Sequence, residues 1–402
     1  MTMTEDANGP LSGLRLIEMG QLLAGPFCGQ LMGDFGCEVI KIEQPNAGDP
    51  MREWGREKSG GKSLWWPIIA RNKRCITLNA RVPEGQELIQ ALVAKSDFLL
   101  ENFRAGTLEK WNLGYDVLSK INEGLIMVRV SGYGQTGPYS HKAGYAAVGE
   151  AMGGLRYCIG DPTTAPSRAG ISIGDTLAAT YGCLGGLMAL HHRHMTGKGQ
   201  VVDSAIYESV FAMMESLISE YDKTGFIRER TGSILPNVSP SNIYEAKDGS
   251  FIIAANQDTV FRRLCEAMGH PEFSEDERYA THGARGERQA ELDRIINDWT
   301  KTKTVKELEQ LMDENGVPAG LIYRAPEMLE DAHFKARNAI VEVADKHLGT
   351  IKMQNTFPKL SRTPGKVSWS GPDHGEHNEE VYKGMLGMDD TTFTEYKDQG
   401  II

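Results

Sequence analysis

Residues 14–43 read LRLIEMGQLLAGPFCGQLMGDFGCEVIKIE, and their pattern decides the fold. A β-rich apolar run at 14–19 is followed by an amphipathic stretch over 26–35 and by a second β-rich run at 37–43. The alternation continues with β-rich runs at 75–79, 97–103 and 125–134 and with a helical stretch that opens at Pro83. This alternation predicts an α/β fold with a parallel sheet covered by helices, whose ligands bind beyond the carboxyl ends of the strands.

The length of the chain predicts two domains, because 402 residues exceed what one compact core usually holds. We expect a large domain built from residues 1–225 and 331–402, and a smaller α/β domain at 226–330. The smaller domain is expected to contain a hairpin at 241–256, with Asp248 and Gly249 as its turn.

Two long helices are expected before the boundary at Gly225. The first runs from Asp175 to about His194 and is rich in Gly and Ala, which permits close packing, and the second covers 204–225. Beyond Asp331 we expect an irregular tail that ends in a charged helix near 376–387. Because this tail is too polar to fold alone, it should wrap back over the large domain.

Composition excludes several classes of function. The formal net charge of −11 gives no general attraction for nucleic acid or an anionic membrane. The polar, acidic start of the chain is not a secretory signal, and we expect no membrane-spanning segment because no run of about 18 apolar residues is found. The six cysteines are scattered without a CxxC pair, which predicts neither a zinc site nor a disulfide framework but reduced thiols in the cytoplasm.

A single acid, Asp175, stands among small and apolar residues in GISIGDTLAAT at 170–180. An Asp directly before an apolar helical run is a good N-cap, because its carboxylate accepts hydrogen bonds from the free backbone N–H groups of the first turn. The position alone therefore predicts a helix cap.

Polar stretches follow the predicted strands and should meet at one edge of the sheet. Gly25 and Pro26 begin a helix and expose backbone N–H groups, while Arg104, Lys110 and Lys142 lie in later stretches near the same edge. Together they suit an anionic, nucleotide-like ligand. No complete GxGxxG or GxxxxGK[ST] motif is present, so each stretch is a weak signal by itself.

Six blocks carry a resemblance to a known family: residues 11–52, ENFRAGTLEKWNLGYD, NKRCITLNARVPEG, SGYGQTGPYSHKAGY, GISIGDTLAA and TGKGQVVDSAIYES. They resemble the family III (CaiB/BaiF, formyl-CoA-transferase-like) coenzyme A transferases, over about residues 11–260 and more loosely to the end of the chain. The resemblance implies a Rossmann-like large domain built from both chain ends. It also implies an interlocked homodimer, in which each subunit is a ring threaded through the other.

The resemblance places the nucleophilic aspartate of the family on Asp175, a role compatible with a position at a helix start. It implies that an acyl-CoA and Asp175 form an acyl-aspartyl anhydride and CoA thiolate. The thiolate then gives an aspartyl-CoA thioester, and an acceptor carboxylic acid reverses both steps. Coenzyme A thioesters are thus expected as substrates, with no permanently bound cofactor and no metal.

The resemblance also implies which positions of this chain contact CoA. These are Leu23, Ala24, Leu78, Arg81, Asn102, Phe103, Arg104, Lys110 and Lys142. The alternative for the basic residues among them is a solvated surface side chain.

Two departures from the family pattern bear on the substrate. The run of glycines that closes over the nucleophile in formyl-CoA transferases is replaced by GSILPNVSPSN at 232–242, which argues against oxalate and formate. The second departure is Ala146, at a position that is often acidic in the family.

Residues 150–175 resemble the branch of the family that uses succinyl-CoA and short dicarboxylic acids. A second carboxylate in the substrate needs a guanidinium partner, for which Arg156 and Arg168 are candidates, although either also suits a structural ion pair.

Two alternatives to a CoA transferase stay open at this point. A 2-methylacyl-CoA racemase or epimerase shares the fold, but it needs two opposed proton-transfer groups, and its GHD-like segment reads Gly144-Tyr145-Ala146 here. The other is a nucleotide-binding scaffold without chemistry, in which Asp175 is only a cap.

Overall fold

A computed structural model describes residues 9–402. The chain forms two compact units. Among the described residues, the first unit consists of 9–155, Ala169–Leu217 and His333–Ile402, and the second consists of Arg156–Arg168 and Ile218–Ala332.

The first unit is built on a six-stranded parallel sheet. Its strands are β1 (Arg15–Glu18), β2 (Glu38–Glu43), β3 (Lys73–Thr77), β4 (Phe98–Glu101), β5 (Ile126–Ser131) and β6 (Val201–Ala205). Their spatial order is β3-β2-β1-β4-β5-β6, the order of doubly wound nucleotide-binding sheets. The predicted α/β fold with a parallel sheet is therefore confirmed.

The remaining strands form small antiparallel sheets. They are β7 (Ser241–Ala246), β8 (Gly249–Ala254) and β9 (Ala319–Leu321) in the second unit, β10 (Ile340–Asp345) and β11 (Gly349–Gln354) in the first, and a short hairpin of Lys58–Ser59 with Lys62–Ser63.

The helices cover both faces of the large sheet and build most of the second unit. They are α1 (Ala24–Asp34), α2 (Trp66–Ile69), α3 (Pro83–Val93), α4 (Thr107–Lys110), α5 (Tyr115–Ile121), α6 (Ala146–Met152), α7 (Leu155–Cys158), α8 (Ile173–Thr196), α9 (Ile206–Phe211), α10 (Leu217–Thr224), α11 (Asp258–Met268), α12 (His282–Glu287), α13 (Gln289–Thr300), α14 (Val305–Glu314), α15 (Ala325–Glu330), α16 (Ala332–Ala336) and α17 (Asp390–Asp398). Short 3₁₀ turns lie at Pro50–Arg52 and Pro271–Ser274, and a π-helical turn lies at Glu380–Met385.

Helix α8 packs closely on the large sheet, as its small residues predict. A Cβ added to Gly185 would lie 2.6 Å from Cγ1 of Val202, so only glycine fits there. By length and composition alone α8 is apolar enough to cross a membrane, which we did not expect. Its residues Ala178 and Ala179 are buried in the same core as Phe98 of β4.

The segment after α8 differs from the expected single helix over 204–225. It begins as the edge strand β6, which pairs with β5, and continues as α9 and α10. Glu215 between the two helices has a φ of +52°, and this left-handed conformation ends a helical run. The continuous helix was therefore a wrong prediction.

The second unit has a core of its own, in which Phe251 and Phe261 are buried. The predicted hairpin is confirmed, with β7 and β8 as its strands. Its turn lies at Lys247 and Asp248, because Ala246 pairs with Gly249, one residue earlier than expected.

The tail is more regular than predicted. Strands β10 and β11 form a hairpin where we expected irregular chain, because alternating residues such as Val343 and Met353 bury one face. The expected helix at 376–387 is a π-helical turn at Glu380–Met385. The tail packs on the large sheet, where the Tyr382 hydroxyl donates to the Thr77 carbonyl at 2.6 Å.

Candidate active site

A cavity of about 360 Å³ lies at the carboxyl ends of β1, β4 and β5 in the first unit. Between β1 and β4 the strand order of the sheet reverses, and ligands of doubly wound sheets bind at such a switch point. We call this cavity the Asp175 cavity. Its lining residues are Gln21, Leu22, Leu23, Ala24, Trp54, Asn102, Phe103, Arg104, Val130, Ser131, Gly132, Ala143, Gly144, Tyr145, Asp175 and Ile206.

The loops after β1 and β4 are tied together across the switch point. The backbone N–H of Gln21 donates to Oδ1 of Asn102 at 2.8 Å, and Nδ2 of Asn102 donates back to the carbonyl of Gln21 at 2.9 Å. A Cβ on Gly20 would lie 3.2 Å from Oδ1 of Asn102, so the loop approaches this side chain closely. Asn102 thus fixes the wall of the cavity.

Asp175 enters the cavity from the first turn of α8. The helix begins at Ile173 with Ser172 as its N-cap residue, and the carbonyl of Ser172 accepts the N–H of Thr176 at 3.1 Å. Asp175 is therefore not the cap that its position predicted, because the helix starts two residues earlier. A carboxylate in the first turn is stabilised by the positive end of the helix dipole.

A second acid, Glu150, supports the start of this helix. Its side chain is 1% exposed, and Oε1 accepts the backbone N–H of Gly174 at 3.2 Å. Sequence reasoning missed this residue. The available signal was an acid placed among small residues in GEAMGG at 149–154, a pattern that indicates burial but names no partner.

The opposite wall depends on a close approach of two glycines. A Cβ on Gly132 would lie 2.8 Å from the Cα of Gly144, so the segment after β5 and the segment with Ala143 and Tyr145 touch through their backbones. Tyr145 is 68% exposed. This wall is accessible to a ligand from solvent.

The charges of the cavity are few. Among the described residues that line it, Asp175 is the one carboxylate and Arg104 the one cation. The rest of the lining is mainly apolar or backbone. A carboxylate in such a setting, beside a helix N-terminus, suits nucleophilic attack on an activated carbonyl.

A family-wide comparison matches residues 11–378 to CoA-transferase family III. The chain belongs to this family. It is 60% identical over 380 residues, 94% of each chain, to the succinyl-CoA–D-citramalate CoA-transferase of Chloroflexus aurantiacus. It is 35% identical to the succinate–glutarate CoA-transferase of Agrobacterium fabrum, over 95% of this chain and 97% of that one. A crystal structure of a CaiB/BaiF family protein from Brucella suis matches with a TM-score of 0.84 and 33% identity, over 94% of this chain and 100% of that one.

The family III assignment confirms the resemblance and makes this protein a CoA-transferase. The structure brings part of the expected site of the CoA-transferase together. Six of the predicted residues line the Asp175 cavity, namely Leu23, Ala24, Asn102, Phe103, Arg104 and Asp175.

The other predicted residues of the CoA-transferase lie outside the lining of this cavity. Leu78 is fully buried in the core, and its N–H donates to the carbonyl of Glu43. Arg81 and Lys110 are exposed, and so is Lys142, whose Nζ lies 3.7 Å from the centre of the Tyr139 ring.

The two arginines predicted to bind a distal carboxylate, Arg156 and Arg168, belong to the second unit. In residues 9–402, no group of three or more His, Cys, Asp or Glu side chains is arranged to hold a metal ion.

Proposed function

We propose that this CoA-transferase moves CoA from succinyl-CoA to a short-chain dicarboxylic acid through an aspartyl-CoA thioester on Asp175. The observation that carries the mechanism is the position of Asp175, the one carboxylate among the described lining residues, in the first turn of α8 at the switch point of the sheet. The relatives named for D-citramalate and for glutarate support the substrate class.

The first half of the reaction loads CoA onto the enzyme. A carboxylate oxygen of Asp175 attacks the thioester carbonyl, the C–S bond breaks, and CoA leaves as a thiolate. The thiolate then attacks the Asp175 carbonyl of the resulting anhydride, and succinate leaves. Every bond that breaks is replaced by one that forms, so the thioester energy is retained as aspartyl-CoA.

The second half returns the enzyme to its starting state. The carboxylate of the acceptor attacks the aspartyl-CoA thioester, CoA thiolate leaves, and a new anhydride joins the acceptor to Asp175. Attack of the thiolate on the acceptor carbonyl releases the product thioester. The N-terminus of α8 stabilises the Asp175 carboxylate that departs in this step.

Exclusion of water is the main demand on the cavity, because water would hydrolyse both the anhydride and the thioester. The apolar side chains of Leu23, Phe103 and Ile206 form part of its lining and offer no hydrogen-bonding partners to water. For the phosphates of CoA we propose contacts with Arg104, Arg81, Lys110 and Lys142, which follow the carboxyl ends of the strands. Leu23, Ala24, Asn102 and Phe103 line the cavity and complete the proposed contacts, whereas the buried position of Leu78 gives no support to a contact there.

The racemase alternative receives less support from this geometry. A racemase needs two opposed groups that transfer protons. The described lining of the Asp175 cavity contains Asp175 but no histidine, and Tyr145 stands where the GHD-like segment would place one.

Trapping of the covalent intermediate tests the mechanism. The protein is mixed with succinyl-CoA, quenched in acid and digested, and the peptide with Asp175 is examined by mass spectrometry. We expect a CoA thioester on this peptide that hydroxylamine removes, and no adduct in Asp175→Asn. Transfer to D-citramalate and glutarate is measured alongside. An adduct on another residue, or substantial turnover by Asp175→Ala, would contradict the proposal.

We also propose that the protein is an interlocked homodimer in the cytoplasm. Beyond the resemblance, the face of α8 turned away from the sheet carries exposed apolar side chains such as Leu184, Met188 and Met195, which suit a covered surface. All six cysteines are free thiols, as in a reducing compartment. Sedimentation should show a dimer that persists at nanomolar concentration, and a folded monomer there would contradict the assembly.

A further inference from the structure

A fully buried network of charges lies beside the loop that follows β1 (residues 20–23, the β1 loop). Lys41 of β2 is at its centre, with Nζ 2.8 Å from Oδ2 of Asp49 and 3.1 Å from Oε1 of Glu18. The side chains of Lys41, Asp49 and Glu18 are at most 1% exposed. Groups this deeply buried are held only where their partners are well placed.

The network bonds directly to the backbone of the β1 loop. Nζ of Lys41 donates to the carbonyl of Gly20 at 2.8 Å. The N–H of Leu22 donates to Asp49, at 3.1 Å from Oδ1 and 3.3 Å from Oδ2. With Gln21 held by Asn102, three consecutive residues of the loop are each fixed by a different side chain.

Leu22 shows why this support is needed. Its φ is +62°, in the left-handed region that residues other than glycine rarely adopt, and it lines the Asp175 cavity. Such a conformation persists only when the surrounding structure imposes it. Asp49 is itself held in place, because its N–H donates to Glu43 and its Oδ1 accepts the N–H of Met51, each at 2.8 Å.

The pKa values of Lys41 and Asp49 are both shifted in the direction that favours their charged forms. Burial opposes the charged form of Lys41, but Asp49, Glu18 and Glu43 raise the pKa of Lys41 above its ordinary value. Burial likewise opposes the charged form of Asp49, but Lys41 and the N–H groups of Met51 and Leu22 lower its pKa below the ordinary value. Lys41 and Asp49 therefore act as an ion pair.

We propose that Asp49 and Lys41 are positioning residues, which hold the β1 loop in its strained conformation and thereby seat the acyl thioester against Asp175. The substitution Asp49→Asn keeps the size of the side chain and one acceptor for the loop, but it replaces the anion that faces Lys41. This proposal rests on the proposed function for the acyl thioester as substrate and for Asp175 as the group that attacks it.

The test compares Asp49→Asn with a matched variant of another buried ion pair. Asp34 accepts Nε of Arg71 at 3.0 Å, and both side chains are at most 4% exposed, but neither lines the Asp175 cavity. We expect similar losses of thermal stability from Asp34→Asn and Asp49→Asn. The kcat of Asp49→Asn should fall by roughly tenfold to a hundredfold, since displacements of about 1 Å at a reacting centre cost that much, whereas Asp34→Asn should stay within about twofold of wild type.

Rescue by glycine separates positioning from general damage. Glycine adopts positive φ freely, so Leu22→Gly should make the loop less dependent on Asp49. In a double-mutant cycle, Asp49→Asn should lose markedly less kcat when it is combined with Leu22→Gly than when it is introduced into wild type. If Asp49→Asn does not fold, Leu22→Val takes its place, because a β-branched residue resists the left-handed region and should lower kcat likewise.

Three results would overturn the proposal: wild-type kcat in Asp49→Asn or Leu22→Val, an equal loss in Asp34→Asn, or no coupling in the cycle. CoA affinity is measured by calorimetry for wild type and Asp49→Asn as a readout independent of turnover. If the wild-type protein binds CoA but forms no product from succinyl-CoA, the proposed function fails. Positioning is then judged by whether Asp49→Asn, but not Asp34→Asn, weakens CoA binding.

Discussion

The carboxylate of Glu150 accepts the backbone N–H of Gly174 at 3.2 Å, one residue before Asp175. The first N–H groups of a helix have no partner within the helix, and here a buried acid from α6 supplies one. The space is tight as well, since a Cβ on Gly174 would lie 3.0 Å from Cγ of Glu150. Glu150 thus fixes the position of the turn that carries Asp175.

The first prediction concerns Glu150. Glu150→Ala leaves the N–H of Gly174 without its acceptor in a buried place and should lower the free energy of unfolding by about 1–3 kcal/mol. Glu150→Gln keeps an acceptor oxygen and should lose less. Urea unfolding measures both. Glu123→Ala is the control, because it removes an exposed carboxylate 3.4 Å from Lys198 and should cost less than about 1 kcal/mol. Equal losses in Glu123→Ala and Glu150→Ala would contradict this role.

A second prediction concerns the glycine contact in the cavity wall. Gly132→Ala places a Cβ 2.8 Å from the Cα of Gly144. Because the atom it meets belongs to the backbone and cannot rotate away, the segment that carries Tyr145 must move. We expect kcat/KM to fall by about tenfold or more. Gly283→Ala is the matched control, since its Cβ meets no atom within 4 Å, and its activity should stay at the wild-type level. A fully active Gly132→Ala would show that this wall does not contact the substrate.

The third prediction is a pH dependence of stability from His377. Its Nδ1 accepts the backbone N–H of Cys75 at 3.2 Å, which requires the neutral ring. Burial lowers the pKa of His377 below its ordinary 6.5, with Arg74 acting in the same direction and Glu376 and Glu380 opposing it. The unfolded chain therefore binds a proton more readily than the folded protein. The neutral His377 ring therefore contributes fully to the free energy of unfolding above pH 6.5. This contribution is lost as the pH falls through the lower pKa that His377 has in the folded protein.

Denaturant titrations between pH 8 and pH 5 check this sign. We expect the free energy of unfolding of wild type to fall toward pH 5, and we expect a flatter profile for His377→Asn, which offers an acceptor that does not titrate. Parallel profiles for the two proteins would show that His377 does not contribute.

Most strands of the parallel sheet could be predicted from the sequence, because a strand of this kind depends on a local pattern of residues. Strands such as β2 and β5 are almost wholly buried and rich in Val and Ile, as strands of a parallel sheet should be, although charged residues such as Lys41 and Arg129 interrupt their apolar runs. The missed strand β6 reads VVDSA, and its Asp203 accepts the N–H of Gln135 from a distant loop. Nothing local distinguishes such a short, polar edge strand from the start of the helix that follows it.

The site shows the same division. Asp175 and the loops around it could be named from motifs, whereas Glu150 and Asp49 could not, because their partners lie 24 and 27 residues away in the chain. The contact between Glu18 and Lys41 depends on the register of β1 against β2, which pairs these two residues directly. Register is a property of the folded sheet, so buried ion pairs between neighbouring strands cannot be predicted from the sequence alone.

The final prediction addresses the distal carboxylate of the acceptor, which we assign to an arginine. The relatives named for D-citramalate and glutarate both name dicarboxylic acids. Arg156 and Arg168 stand in the segment that resembles the dicarboxylate branch, and Arg168 is exposed. A charge-assisted pair in a closed site contributes about 1.5–3 kcal/mol, and a guanidinium binds a carboxylate through two parallel hydrogen bonds.

A monocarboxylate of the same length cannot form that pair, so it should lose roughly one to two orders of magnitude in kcat/KM, at about 1.4 kcal/mol per tenfold. We expect wild type to prefer glutarate over valerate by this factor with succinyl-CoA as donor. Either Arg156→Ala or Arg168→Ala should abolish the preference by losing glutarate activity selectively. Arg278→Ala, an arginine of the second unit paired with Asp276, should keep it. An unchanged ratio in both variants would make Arg156 and Arg168 structural, since a bound carboxylate cannot lose its partner without cost.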